Sequence, residues 1–137
     1  MSETGRRIMI ILRAAFFLDA IVFLIASLLN FGMKIPLGFT ELNFPDPIWQ
    51  AGVGEAVIGL ALLAAAVTGR TAIAWVAFWL SVGGIIFGLS SARVQGLARD
   101  IHVILVPMAV VLFILLIWLR QTRLRMRKEA LGPGAGK

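Results

Sequence analysis

Four stretches of this chain are long and apolar enough to cross a lipid bilayer, and no motif in the sequence constrains the fold as strongly. They are Ile8–Leu29, Ile48–Val67, Thr71–Leu89 and Ile101–Leu119. A span of the hydrocarbon core takes roughly 17–25 residues of helix. Of the 137 residues, 60% are hydrophobic, against roughly 45–50% in soluble domains. The mean hydropathy is +0.95. The expectation is an all-α integral membrane four-helix bundle, a single transmembrane domain over residues 1–137. The first apolar run is too long for the h-region of a signal peptide and shows no convincing small-residue cleavage site.

The net charge of +6 looks like a nucleic-acid signal until the charges are placed. Arg6, Arg7, Arg70, Arg120, Arg123, Arg125, Arg127 and Lys128 lie at one set of helix ends. The opposite connections hold Lys34, Arg93 and Arg99 beside Glu41, Asp46 and Asp100. Positive loops stay on the cytoplasmic side, so both termini are expected inside. The segment "RQTRLRMRKEA" is expected to carry the fourth helix one or two turns further, as a stop-transfer anchor or a contact for anionic lipid headgroups. The closing "GPGAGK" reads as a frayed end. No nucleic-acid partner is expected.

The connection "NFGMKIPLGFTELNFPDPIW" alternates apolar residues at Phe31, Met33, Ile35, Leu37 and Phe39. That is strand periodicity, while Pro36, Gly32 and Gly38 argue against a central strand. The expectation is an extended or hairpin outer loop with its apolar side against the bundle, acting as a lid or as an interfacial plug. The connection between the second and third stretches is only "TGRT", which implies a tight antiparallel pair.

Ionisable residues inside apolar helices cost a few kcal/mol and are functional candidates by default. Glu55 lies about two turns into the second stretch. Gly52, Ala56 and Gly59 share its side of the helix, and small residues at this spacing let helices approach closely. Glu55 is therefore expected to face other helices and to need a partner. Asp19, near the middle of the first helix, and His102, near the start of the fourth, would line the outer half of one interior with it. Arg13 lies in the inner half of the first helix, and Arg93 or Arg99 would descend from the loop. These residues are candidates for ligand binding or a proton relay, or they are structural hydrogen-bonding groups that fix helix register. Asp100 reads as the N-cap of the fourth helix, which puts His102 at its second position. Pro107 is expected to bend that helix. Gly84 and Gly88 form a GxxxG in the third, which reads as packing within the bundle or between protomers. Trp49 and Trp118 fall at expected membrane interfaces.

Much chemistry is excluded. There are no cysteines, hence no disulfide, thiolate metal site or CxxC redox centre. No HExxH, GxSxG or P-loop motif is present. One histidine cannot ligate haem from both sides, leaving only a His102/methionine pair for that role. No catalytic residue, metal or resident cofactor is expected, beyond a bound lipid or quinone.

"NFGMKIPLGF", then "GEAVIGLALLAAAVTGRTAIAW", resembles the DoxX-like group of small four-helix bacterial membrane proteins. The likeness rests on Gly32–Ile35, on Glu55 ahead of Gly59-Leu60-Ala61-Leu62-Leu63, and on Arg70 in the short turn. The chain is also similar to related four-helix families with an acid-x-His start to the last helix, here Asp100-Ile101-His102. The resemblance implies a cell inner membrane protein, an accessory subunit of a membrane redox complex without its own cofactor. It singles out Glu55, with Arg13 as a second matched position. The leading expectation is a non-catalytic subunit that binds a lipid, quinone or small polar group, or a partner protein or second copy. The alternative is a small proton-coupled transporter or channel using Asp19, Glu55 and His102.

Overall fold

A computed structural model describes residues 2–132 and 134 of the chain. The described residues form four α-helices, each long and apolar enough to span a membrane, with a two-stranded hairpin between the first two. Helix α1 covers Glu3–Asn30, strand β1 Ile35–Pro36 and strand β2 Glu41–Leu42. Helices α2, α3 and α4 cover Trp49–Thr68, Thr71–Ser90 and Leu97–Leu131.

The helix limits follow from local chemistry. The hydroxyl of Ser2 accepts the amide of Gly5 at 3.1 Å, capping α1 a turn and a half ahead of the apolar run. Gly69 ends α2 in the left-handed region at φ 61° and donates its amide to the carbonyl of Ala65, the turn that lets α3 start at Thr71. Gly96 (φ 56°) precedes α4. Asp100 is therefore not the N-cap: the helix begins at Leu97, and Asp100 lies one turn inside with His102 half a turn further on. Pro107 stays within α4, which is 35 residues long. The helix runs twelve residues past Leu119, about three turns, where one or two were expected. The terminal GPGAGK lies mostly outside the described residues.

Each helix packs against its neighbours in sequence, and α4 closes against α1. The bundle is thus a square ring in chain order, and the diagonal pairs α1/α3 and α2/α4 are almost out of backbone contact. The centre is filled by large side chains, among them Phe16, Phe23, Leu62, Leu105, Leu112 and Leu116, all at most 1% exposed. The other faces carry exposed Ile10, Val57, Val76, Ile104 and Val110, the apolar exterior that suits a lipid solvent.

Small residues set the spacing. A Cβ at Gly59 would stand 2.8 Å from Leu24 and 3.4 Å from the carbonyl of Ala20. One at Gly52 would stand 3.0 Å from Phe31, and one at Gly84 would stand 2.5 Å from Ile58. Both glycines of the GxxxG thus make contacts inside the chain: Gly88 carries the ring of His102.

The hairpin pairs Ile35 with Leu42 and Pro36 with Glu41, and Lys34 lies 3.4 Å from Glu41. The alternating apolar residues do not seal the bundle. Phe39 is 93% exposed, and Phe31, Met33 and Leu37 are also exposed. Only four pairing residues are in strand, so the stripe has too little sheet to hold it on one face. Phe44, just after the hairpin, is the residue that packs inward.

Candidate ligand site at the Glu55 end of the bundle

Three polar side chains meet at the loop end of the bundle. Asn30, the last residue of α1, donates through Nδ2 to Oε2 of Glu55 at 2.8 Å. Its Oδ1 accepts the backbone amide of Ile48 at 3.0 Å. That second bond fixes the amide's orientation, so it is the NH2 group that faces the carboxyl group. One turn below, Ser27 donates to the carbonyl of Gly52 at 2.7 Å. Together these bonds lock the end of α1 to the beginning of α2.

His102 arrives from the opposite corner. Its Nδ1 lies 2.7 Å from the carbonyl of Ala98. A carbonyl only accepts, so Nδ1 is the donor and Nε2 is left toward the interior. Nε2 stands 3.8 Å from Oε1 of Glu55, too long for a direct hydrogen bond. Both residues are 6% exposed. The ring fits because it lies against Gly88, where any side chain would collide with it.

A cavity of about 1330 Å³ adjoins these groups. It is lined by Asn30, Glu55 and His102, by Ile58 on α2, by Trp79 and Phe87 on α3, and by the two loops around Phe44 and Arg93. Ordinary small-molecule pockets hold roughly 300–1,000 Å³, so this one is large. A few convergent polar groups inside a mostly apolar wall are the usual make-up of a binding site.

The structure separates the other candidates from this cluster. Asp19 is fully buried, and its Oδ2 accepts the hydroxyl of Ser81 at 3.3 Å across the α1/α3 diagonal. Among the described residues its Oδ1 has no hydrogen-bond partner. It does not line the cavity. Phe23, Ile58 and Gly84 each lie about one turn from one of the two polar levels and pack together between them. Arg13 is at the far end. Its Nε donates to the carbonyl of Ala66 at 2.6 Å and its Nη2 to that of Val67 at 2.9 Å. It thereby satisfies carbonyls that the end of α2 leaves open. Arg99 is exposed and outside the lining, whereas Arg93 lines the cavity.

Asn30 was not legible as a site residue, because at a helix end a polar side chain is unremarkable. Its distance of 25 residues from Glu55 carries no sequence signal. Among the described residues there is no group of three or more His, Cys, Asp or Glu arranged to hold a metal ion. No family model, curated protein or solved structure matches this chain.

Proposed function

We propose that this chain is a multi-pass membrane protein that binds a small amphiphilic ligand at Glu55, His102 and Asn30, without transforming it. The observation that carries the reading is Oε1 of Glu55, without a hydrogen-bond partner among the described residues, facing Nε2 of His102 at 3.8 Å beside a large, mostly apolar cavity. A carboxyl group held by one neighbour and left open on its other oxygen is suited to a guest. The basic helix ends support an orientation with both termini in the cytoplasm. The Arg- and Lys-rich end of α4 is suited to anionic headgroups. On this reading the protein is an accessory subunit of a bacterial inner membrane complex, in keeping with its likeness to DoxX-like proteins.

A proton-coupled transporter is the less favoured reading. It needs Asp19 and Glu55 to exchange protons, and the packed side chains of Phe23 and Ile58 lie between their levels.

Native mass spectrometry in mild detergent tests the binding reading. The wild type should carry a defined extra mass that Glu55→Gln lacks, while both variants melt alike. Identical spectra from the two proteins would overturn it.

A further inference from the structure

The cavity has an open side. Val57, Trp79, Leu80 and Phe87 line it, yet each is between 41% and 64% exposed on the outer surface of the bundle. The cavity is lined by the first half of α2 and by α3 from Trp79 onward, the parts away from the turn at Gly69. Gly54 and Gly83 both line the cavity, and a Cβ at either would meet nothing within 4 Å. Elsewhere in this bundle glycine marks close contact, as at Gly52, Gly59, Gly84 and Gly88. At Gly54 and Gly83 it leaves a channel instead. On α3 the lining runs from Gly88 to Trp79, nine residues or about 13 Å of helix. In a hydrocarbon core about 30 Å thick this groove reaches toward the bilayer interior.

The polar end constrains the head of whatever lies there. Oε1 of Glu55 and Nε2 of His102 are 3.8 Å apart, and one oxygen about 2.8 Å from each would bridge them. A hydroxyl both donates and accepts, so it completes the pair whichever of the two atoms carries a proton. An ammonium only donates and so pairs with both atoms only when neither carries a proton, and a carboxylate only accepts and so needs a proton on both. At the mouth Arg93 and Asp46 supply opposite charges, which gives no preference for a charged head.

We infer that the site takes a lipid with an uncharged hydroxyl head, which enters sideways from the bilayer between α2 and α3 and lays an alkyl chain over Gly54 and Gly83. This rests on the binding reading above and specifies its ligand class and route of entry.

The test adds hexadecan-1-ol, hexadecylamine, hexadecanoic acid or hexadecane to the detergent-extracted protein and counts retained adducts by native mass spectrometry. A Cβ at Gly54 or Gly83 meets no atom within 4 Å, so Gly54→Leu and Gly83→Leu put side chains into the groove without a backbone clash, and both should fold and melt like the wild type. The wild type should retain one hexadecanol and no hexadecane. Retention should fall at least tenfold in both filled variants and in Glu55→Gln. Filled variants that keep hexadecanol at the wild-type level would overturn the lateral groove. If they also keep a native adduct that Glu55→Gln loses, the binding reading itself survives. Preferential retention of the amine or the acid would overturn the hydroxyl head. A wild-type dimer that Gly83→Leu dissociates, with no alcohol adduct, would make the open face a self-association surface. Absence of any adduct, native or added, from every variant would remove both readings.

Discussion

The imidazole of His102 lies against the backbone of Gly88, in space that a single methyl group would fill. The neighbouring glycine of the same motif, Gly84, accommodates Ile58 in the same way. The motif therefore seats two side chains from two different helices, one apolar and one polar.

Gly88→Ala should displace the ring and cost about 1–3 kcal/mol through overpacking. The collision involves three atoms of a rigid ring whose Nδ1 is tied to the carbonyl of Ala98, so the side chain has no easy escape. Adding His102→Ala should recover most of the loss, because the two substitutions share one contact. Thermal unfolding of the four members of this cycle in detergent is the check. A Gly88→Ala protein that melts with the wild type would show that the ring has other room.

Asn30 and Glu55 should tolerate exchange of their donor and acceptor. Asn30→Asp alone sets two carboxyl groups against each other and removes a buried donor, a loss of about 1–3 kcal/mol. In the double variant Asn30→Asp with Glu55→Gln, the amide at 55 donates to the carboxylate at 30. The amide of Ile48 keeps its acceptor. The double variant should melt above Asn30→Asp, and equal melting temperatures would argue against a direct bond between these side chains.

Arg13→Ala should destabilise the bundle by about 1–3 kcal/mol, since it strips two carbonyls at the end of α2 of a charged donor. Arg13→Lys should recover only part of this, because a lysine lacks the planar fork that reaches both carbonyls. Neither change should alter ligand retention at the opposite end. Loss of the native adduct in Arg13→Ala, with the fold intact by circular dichroism, would contradict that separation.

Asp19→Asn should shift stability by no more than about 1 kcal/mol, because one unpartnered polar atom replaces another and the bond from Ser81 is kept. The variant should hold ligand as the wild type does. A retention defect as large as that of Glu55→Gln would place Asp19 in the same functional unit, against the apolar layer between them.

The spans were legible because length and hydropathy alone decide them, and α2 and α3 fall within one residue of the apolar stretches. The depth of Glu55 and its small-residue face were also legible, since both depend only on helical periodicity. What periodicity does not give is which corner of the square each helix occupies. Asp19 and Glu55 lie at different levels of the bundle, yet their partners, Ser81 and His102, come from opposite diagonals. A one-helix reading cannot separate those diagonals. The start of α4 was missed for a different reason. Asp100 has the chemistry of a cap, but Gly96, at φ 56°, turns the chain a full helical turn earlier.

Because the ring is built in chain order, α4 is the last wall to arrive during synthesis. The first three helices already bring Asn30 to Glu55, but they leave that carboxyl group without His102 and the bundle open along one side. A nascent chain at this stage presents a polar seam to the membrane, the kind of defect that insertion chaperones and membrane proteases recognise. Placing the histidine on the closing helix makes completion of the site coincide with closure of the four-helix ring. Substitutions that slow the docking of α4 should then lower the amount of protein in the membrane, which quantitative immunoblotting of His102→Ala against the wild type would reveal.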